Sequence, residues 1–355
     1  MTPPDFDRRE LLVGSAAAAA ALSLAPDLAL AAEQPLTRIA FGSCAKQDKE
    51  QPIWNQVNAW KPELFIFLGD NIYADTEDMA VMRAKYDQLA AKPGFQQLRR
   101  QSKVVAIWDD HDYGKNDAGR EYPKKQESKD IFLDFWGEPA DSPRRKRPGN
   151  HMSYVFGPKG KRVQVILPDN RWWRSGLIGN TEVPKDHGPY LTNTDPNAVM
   201  LGREQWQWLT EQLRIPAEIR IFASSTQVLA DAPGWETWAL FQAEQQRLFD
   251  LIDFTGTTGL FCISGDTHYA ELSKREDNVP YPMWDMTSSG LTETWAYVAP
   301  NKYRLGEGHD VQNFGRIEID WSGSEPRIQL GVDGVDGKEL ITQTLHLSEL
   351  KPKRG

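Results

Sequence analysis

An α/β fold is predicted by three features of this 355-residue sequence. Six short apolar runs each end abruptly in polar or glycine-rich residues, as strands covered on both faces do. Four stretches of helical periodicity lie among those runs, and strands alternating with helices build an α/β sheet. Closer to the C-terminus, alternating strands separated by turn residues predict an antiparallel meander.

In chain order, the N-terminus comes first. Arg8 and Arg9 precede an Ala/Leu segment that ends at Ala29-Leu30-Ala31, an A-x-A pattern. Paired arginines before a mildly apolar segment resemble a twin-arginine export signal, so residues 1–31 are expected to be a leader removed from a periplasmic or secreted protein. These residues carry a net charge of -2, so the formal charge of -9 becomes -7 without them. Residues 32–355 then form one domain, with no repeat or linker to divide them.

TRIAFGSC is the first strand and ends at Cys44; ELFIFLGDNIY is the second and runs into Asp70 and Tyr73. A helical pattern follows from Met79 to Ala91. KVVAIWDDHD ends in a crowd of carboxylates, Asp109, Asp110 and Asp112 around His111. After a helix from Lys124 to Trp136 comes SPRRKRPGN, residues 142–150, a proline-bounded basic segment that reads as a solvated surface loop. KRVQVILPDNR ends at Asp169 and Arg171, and a helix covers Arg203 to Leu213. IRIFASSTQVL, a helix from Ala243 to Phe254, and GLFCISGDTH, ending at Asp266 and His268, complete the alternation. The meander is FGRIEIDW, PRIQLGVDG and LITQTLHL.

Composition excludes several functions. Hydrophobic content of 40% is that of a globular protein, and a charge of -9 lacks the basic surplus of a nucleic-acid binder. No apolar run beyond the leader approaches the roughly 20 residues of a membrane span. Two cysteines do not make a disulfide framework, and Cys262, inside a strand, reads as core.

Ligands of open α/β sheets gather beyond the carboxyl ends of the strands. The set expected there is Cys44, Asp70, Tyr73, Asp110, His111, Asn116, Asp266 and His268. Thiolate, carboxylate, phenolate, amide oxygen and imidazole are all metal donors, and their mixed hardness suits a transition metal beside a harder cation. Buried carboxylates packed this closely are costly unless a cation compensates them.

The ordered set GSC, GDNIY, WDDHD and GDTH resembles the alkaline phosphatase D (PhoD-like) family of the calcineurin-like metallophosphatases, from roughly Arg38 to Trp321. APGWETWALFQAEQQRLFDLI and TSSGLTETW belong to the resemblance; LPDNR, where the family pattern leads one to expect LLDTR, departs from it. The resemblance implies a four-layer αββα sandwich of two mixed sheets flanked by helices. It also implies a two-metal centre of iron(III) plus calcium. Asp70 would bridge the two, Cys44, Tyr73 and His268 would bind iron, and Asp110, Asn116 and Asp266 would face calcium. His111 would contact substrate, while Asp109, Asp112, Asp169 and Arg171 would orient neighbours or hold substrate. The implied function is hydrolysis of small-molecule phosphomonoesters or phosphodiesters, by attack of a metal-bound hydroxide at a centre of two cations about 3.5–4 Å apart. A phospholipase-like diesterase, or a non-hydrolytic iron-binding or redox protein, is the alternative.

Overall fold

The computed structural model describes residues 30–31, 34–184 and 186–352. The expected leader lies outside the described residues except for Leu30–Ala31, which form a two-residue strand, β1.

One sheet has six strands. Its parallel half is β2 (Arg38–Gly42), β3 (Leu64–Leu68) and β4 (Lys103–Ile107). The meander joins the β2 edge antiparallel, as β14 (Asn313–Asp320), β15 (Arg327–Gly334) and β16 (Glu339–His346). The eight-stranded sheet runs β1, β5 (Met152–Phe156), β6 (Val163–Leu167), β9 (Ile219–Ser224), β10 (Leu260–Ser264), β12 (Met283–Ser288), β11 (Ala270–Arg275), β13 (Arg304–His309). Within it β6, β9, β10 and β12 are parallel neighbours. A small ribbon pairs β7 (Ile178–Gly179) with β8 (Tyr190–Leu191).

Burial explains the layering. Every residue of β3, LFIFL, is buried, so both of its faces are covered. Phe65 and Phe67 meet Trp54 of α1 (Ile53–Trp60), with ring centroids 5.6 and 5.9 Å away. The period of two then turns Leu64, Ile66 and Leu68 toward the opposite face. Helices α2 (Met79–Ala90), α3 (Pro93–Gln101) and α5 (Lys125–Trp136) complete the layer beside α1, where Phe95 and Trp136 also pack on Phe67, and the short α4 (Asp110–Tyr113) follows β4. On the second sheet, α7 (Gly202–Leu213) accepts a hydrogen bond at Gln212 O from Gln164 of β6, and α8 (Gln242–Thr255) reaches Val228 O through Gln245. One continuous apolar cluster includes residues of both sheets. The expected sandwich of two mixed sheets flanked by helices is the observed architecture.

The four expected helices appear within one residue of their expected ends. Pro168 follows β6, whose last ladder pair is Leu167 with Met152, so no strand donor is lost there. The basic segment differs from expectation. It contains a short helix, α6 (Pro143–Lys146), and Arg144 is buried, donating to Ala106 O and Asn150 O at 2.9 Å each. Its guanidinium closes the end of β4 rather than meeting solvent. Among the described residues, no helix is long and apolar enough to cross a membrane.

Candidate metal centre

Six parallel strands, β2, β3 and β4 of one sheet and β6, β9 and β10 of the other, bring their carboxyl ends together. The backbone there is unusual. Cys44, Asp70, Asp266 and His268 have φ of 63°, 49°, 74° and 61°, left-handed values that non-glycine residues adopt at a cost of order 1 kcal/mol or more each. Such bends turn the chain off each strand sharply enough to present four donor side chains to one volume. Gly69, at φ +100°, sits where a Cβ would lie 2.4 Å from Asp109 Cβ. Only glycine lets the ends of β3 and β4 come that close.

Among the described residues, four groups of acidic, histidine or cysteine side chains place one donor atom each within 4.8 Å of one another. They are Cys44–Asp70–His268, Asp70–Asp110–His111, Asp70–Asp109–Asp110–Asp266 and Asp110–Asp117–Glu236. Asp70 belongs to three of them. Cys44 Sγ lies 3.3 Å from Asp70 Oδ2 and 3.1 Å from Ser289 Oγ. Tyr73 Oη is 2.9 Å from His268 Nε2, and its ring stacks on His111 at 4.1 Å between centroids. His111 holds Asp75 through Nδ1 at 2.8 Å.

Burial sets the electrostatics. It pushes the Cys44 thiol up to about 12 and the Tyr73 phenol well above its usual value. Burial, with repulsion from neighbouring anions, also holds the Asp70 and Asp266 carboxyls well above the usual carboxylate range. Burial pulls His268 down to about 4. Asp110 behaves oppositely: burial opposes its ionisation, but Arg171 and His111 together outweigh it and hold the group at about 2. His111 in turn is lifted to about 9, because Asp110 and Asp75 overcome its burial. Burial thus favours neutral thiol, phenol and carboxyls, and a bound cation reverses that preference by stabilising the anions. Two buried oxygens, Asp109 Oδ2 and Asp110 Oδ1, have no hydrogen-bond partner. Orphaned carboxylate oxygens within a mixed soft and hard donor set fit cations of two kinds.

The remaining expected residues surround this set. Asp112 accepts the backbone N–H of Asp70 at 3.1 Å and of Asp109 at 2.8 Å, tying the ends of β3 and β4 to one carboxylate. Arg171, fully buried, donates from Nε to Asp109 at 2.6 Å and from Nη1 to Glu236 at 2.8 Å, and lies 3.8 Å from Asp110. It is the fixed counter-charge of the acidic group. Asp169 accepts from Trp108 Nε1 and from the N–H groups of Asn150, Arg171 and Trp172, so it shapes the turn that carries Arg171. Asn116 is exposed, donating to Asp117 Oδ2 at 2.8 Å and, from its backbone, to Asp75 at 3.0 Å. Sequence reasoning did not select Asp75, Asp117, Glu236 or Ser289 as site residues. Asp117 stood in the acidic stretch after β4; Glu236 carried no local signal, being one acid among aromatics.

A profile of the family described as PhoD-like phosphatase matches residues 39–304. Alkaline phosphatase D of Bacillus subtilis (strain 168) is 21% identical over 277 residues, covering 67% of this chain and 46% of that protein. The chain therefore spans less than half the length of that relative. The solved structure of PhoD has a TM-score of 0.63 at 15% identity, covering 92% of this chain and 74% of its own. GAP50, described as the anchor in the inner membrane complex of Plasmodium, has a TM-score of 0.54 at 13% identity, with 90% of each chain covered. Identities this low speak to the fold alone. The family profile covers more than half of the chain and includes the four strand-end motifs, and the chain belongs to the PhoD-like phosphatase family.

Proposed function

We propose that this chain hydrolyses phosphoric esters of small molecules, monoesters or diesters, at a centre of two cations, iron(III) and calcium. The observation that carries this reading is the position of Asp70 in three overlapping donor groups, as a carboxylate shared by two cations requires. Cys44, Tyr73 and His268 surround one side of it, the softer set suited to iron. Asp110, Asp266 and the neighbouring Asn116 offer oxygen on the other, the set suited to calcium. Bound cations would supply the charge that activates water and offsets phosphoryl oxygens. The chain's own residues orient and balance that charge. Arg171 and Asp112 hold the acidic turns in place. Asp75 fixes His111 through Nδ1, which leaves Nε2 as the atom to donate to a phosphoryl oxygen.

Purified protein should contain two metals by mass spectrometry and hydrolyse a chromogenic mono- or diester. Chelation should abolish turnover, and added cations should restore it. Full metal occupancy without hydrolysis of either ester would refute the reading; a single iron with electron-transfer activity would replace it by a redox protein. We further propose that Arg8 and Arg9 direct export of the folded protein by the twin-arginine machinery. Replacing both by lysine should trap the activity inside the cell, and unchanged export would defeat that proposal.

A further inference from the structure

Beside the metal centre lies a group of aromatic rings that the chemistry above leaves unused. Trp295 is 40% exposed although most of the chain's large apolar side chains are buried. It stands 4.7 Å from Trp235 in a T-shaped contact at 82° and 5.6 Å from Tyr297, and Trp235 and Tyr297 are 5.9 Å apart. Trp235 and Tyr297 pack on a small apolar cluster, Ala230, Ala232, Tyr269 and Ala299, that is separate from the main core.

Two observations tie these rings to the centre. The segment carrying Trp295 is bonded to two candidate ligands: Thr292 N donates to Cys44 O at 3.0 Å, and Trp295 N to His268 O at 3.1 Å. Trp235 directly precedes Glu236, which shares a donor group with Asp110 and Asp117. The Trp235 turn is also braced from outside, since Gly188 N donates to Pro233 O at 2.9 Å and Tyr190 N to Gly234 O at 3.0 Å. A Cβ on Gly188 would lie 2.2 Å from Gly234 O, so the two backbones are in contact. A braced aromatic surface loses little freedom on binding, which favours a ligand role. Trp235 Nε1 and Tyr297 Oη are buried without hydrogen-bond partners, so the cluster's polar groups are not satisfied by packing alone.

We propose that Trp295, with Trp235 and Tyr297 behind it, forms a platform that selects phosphate esters whose organic group is a planar ring, aryl or nucleobase. The inference rests on the phosphoesterase reading. An exposed indole next to the ligand loop offers a π face to the ester's organic group while the phosphate lies at the cations. Planar rings gain from such a face through offset stacking, and a flexible alkyl alcohol does not.

The experiment measures kcat/KM of metal-loaded full-length protein with phenyl phosphate, a nucleoside monophosphate and glycerol phosphate. Parent is compared with Trp295→Ala, Trp295→Leu and Trp295→Phe, all at a position 40% exposed to solvent. In Trp295→Ala the ratio of either planar ester to glycerol phosphate should fall by roughly two- to twelvefold. The loss should appear in KM rather than kcat, as binding uniform to ground and transition state does. Trp295→Phe should restore most of the ratio and Trp295→Leu should not. An unchanged ratio in Trp295→Ala would overturn the inference while leaving the activity in place. Equal rescue by Leu and Phe would overturn it too, because a mere apolar wall would then suffice. A parent protein inactive on all three esters would sink the phosphoesterase reading and this inference with it.

Discussion

Replacing Asp112 by alanine tests the claim that one carboxylate holds the two central acidic turns together. Asp112 accepts from Asp70 N at 3.1 Å, Asp109 N at 2.8 Å, Asn71 Nδ2 at 2.5 Å and Tyr86 Oη at 3.2 Å. All four donors belong to residues no more than 2% exposed, so solvent does not replace the lost acceptor. A buried donor left without a partner costs about 1–3 kcal/mol. Taking the lower bound for each of the four donors, Asp112→Ala should lose about 4 kcal/mol. At about 2 °C per kcal/mol for a chain of this size, the melting temperature falls by about 8 °C. Asp112→Asn keeps an acceptor for both backbone N–H groups but sets an amide against Asn71 Nδ2, so its loss should be nearer about 1–3 kcal/mol, with measurable activity. Calorimetry and urea unfolding, each with chelator and with excess cations, separate the packing effect from stabilisation by bound metal. A Asp112→Ala protein melting within about 2 °C of the parent in chelator would refute the reasoning, since that shift is worth only about 1 kcal/mol.

Asp70→Asn should abolish activity and lower the occupancy of both metals by mass spectrometry, because one carboxylate serves each; loss of a single metal would deny the shared role. His111→Ala should retain both metals and lose about 10²–10³ in turnover, the usual effect of removing a donor aimed at developing charge. Metal loss in that variant would make His111 a ligand instead. Tyr73→Phe should remove phenolate bands from the resonance Raman spectrum of the iron-loaded protein, bands that the parent should show. A phenol that burial holds well above its usual range ionises only beside strong positive charge, so a parent spectrum without them would take Tyr73 out of the iron shell.

The α/β class, the order of the strand-end motifs and the boundaries of the four expected helices were legible in the chain because they depend on local periodicity and on turn chemistry. The candidate donors Cys44, Asp70, Asp110, Asp266 and His268 were legible for the same reason: each lies within a few residues of the end of an apolar run. Helices α1 and α3 and strands β5 and β11 to β13 were not anticipated. Strands such as ELSKR and RLGEGH lack the apolar run of a central strand and are held by their neighbours in the sheet. What only the tertiary structure decided is how charges pair. Arg171 meets Asp109 across 62 residues and Glu236 across 65, and His111 meets Asp75 across 36. No periodicity records such distances, because they arise when two sheets stack and their strand ends close on one volume. The sharing of Asp70 among three donor groups, the buried role of Arg144 in a segment that reads as a surface loop, and the aromatic platform beside His268 follow from that closure. Local sequence selects which side chains stand at the strand ends; the long-range packing of the strands selects which of them touch.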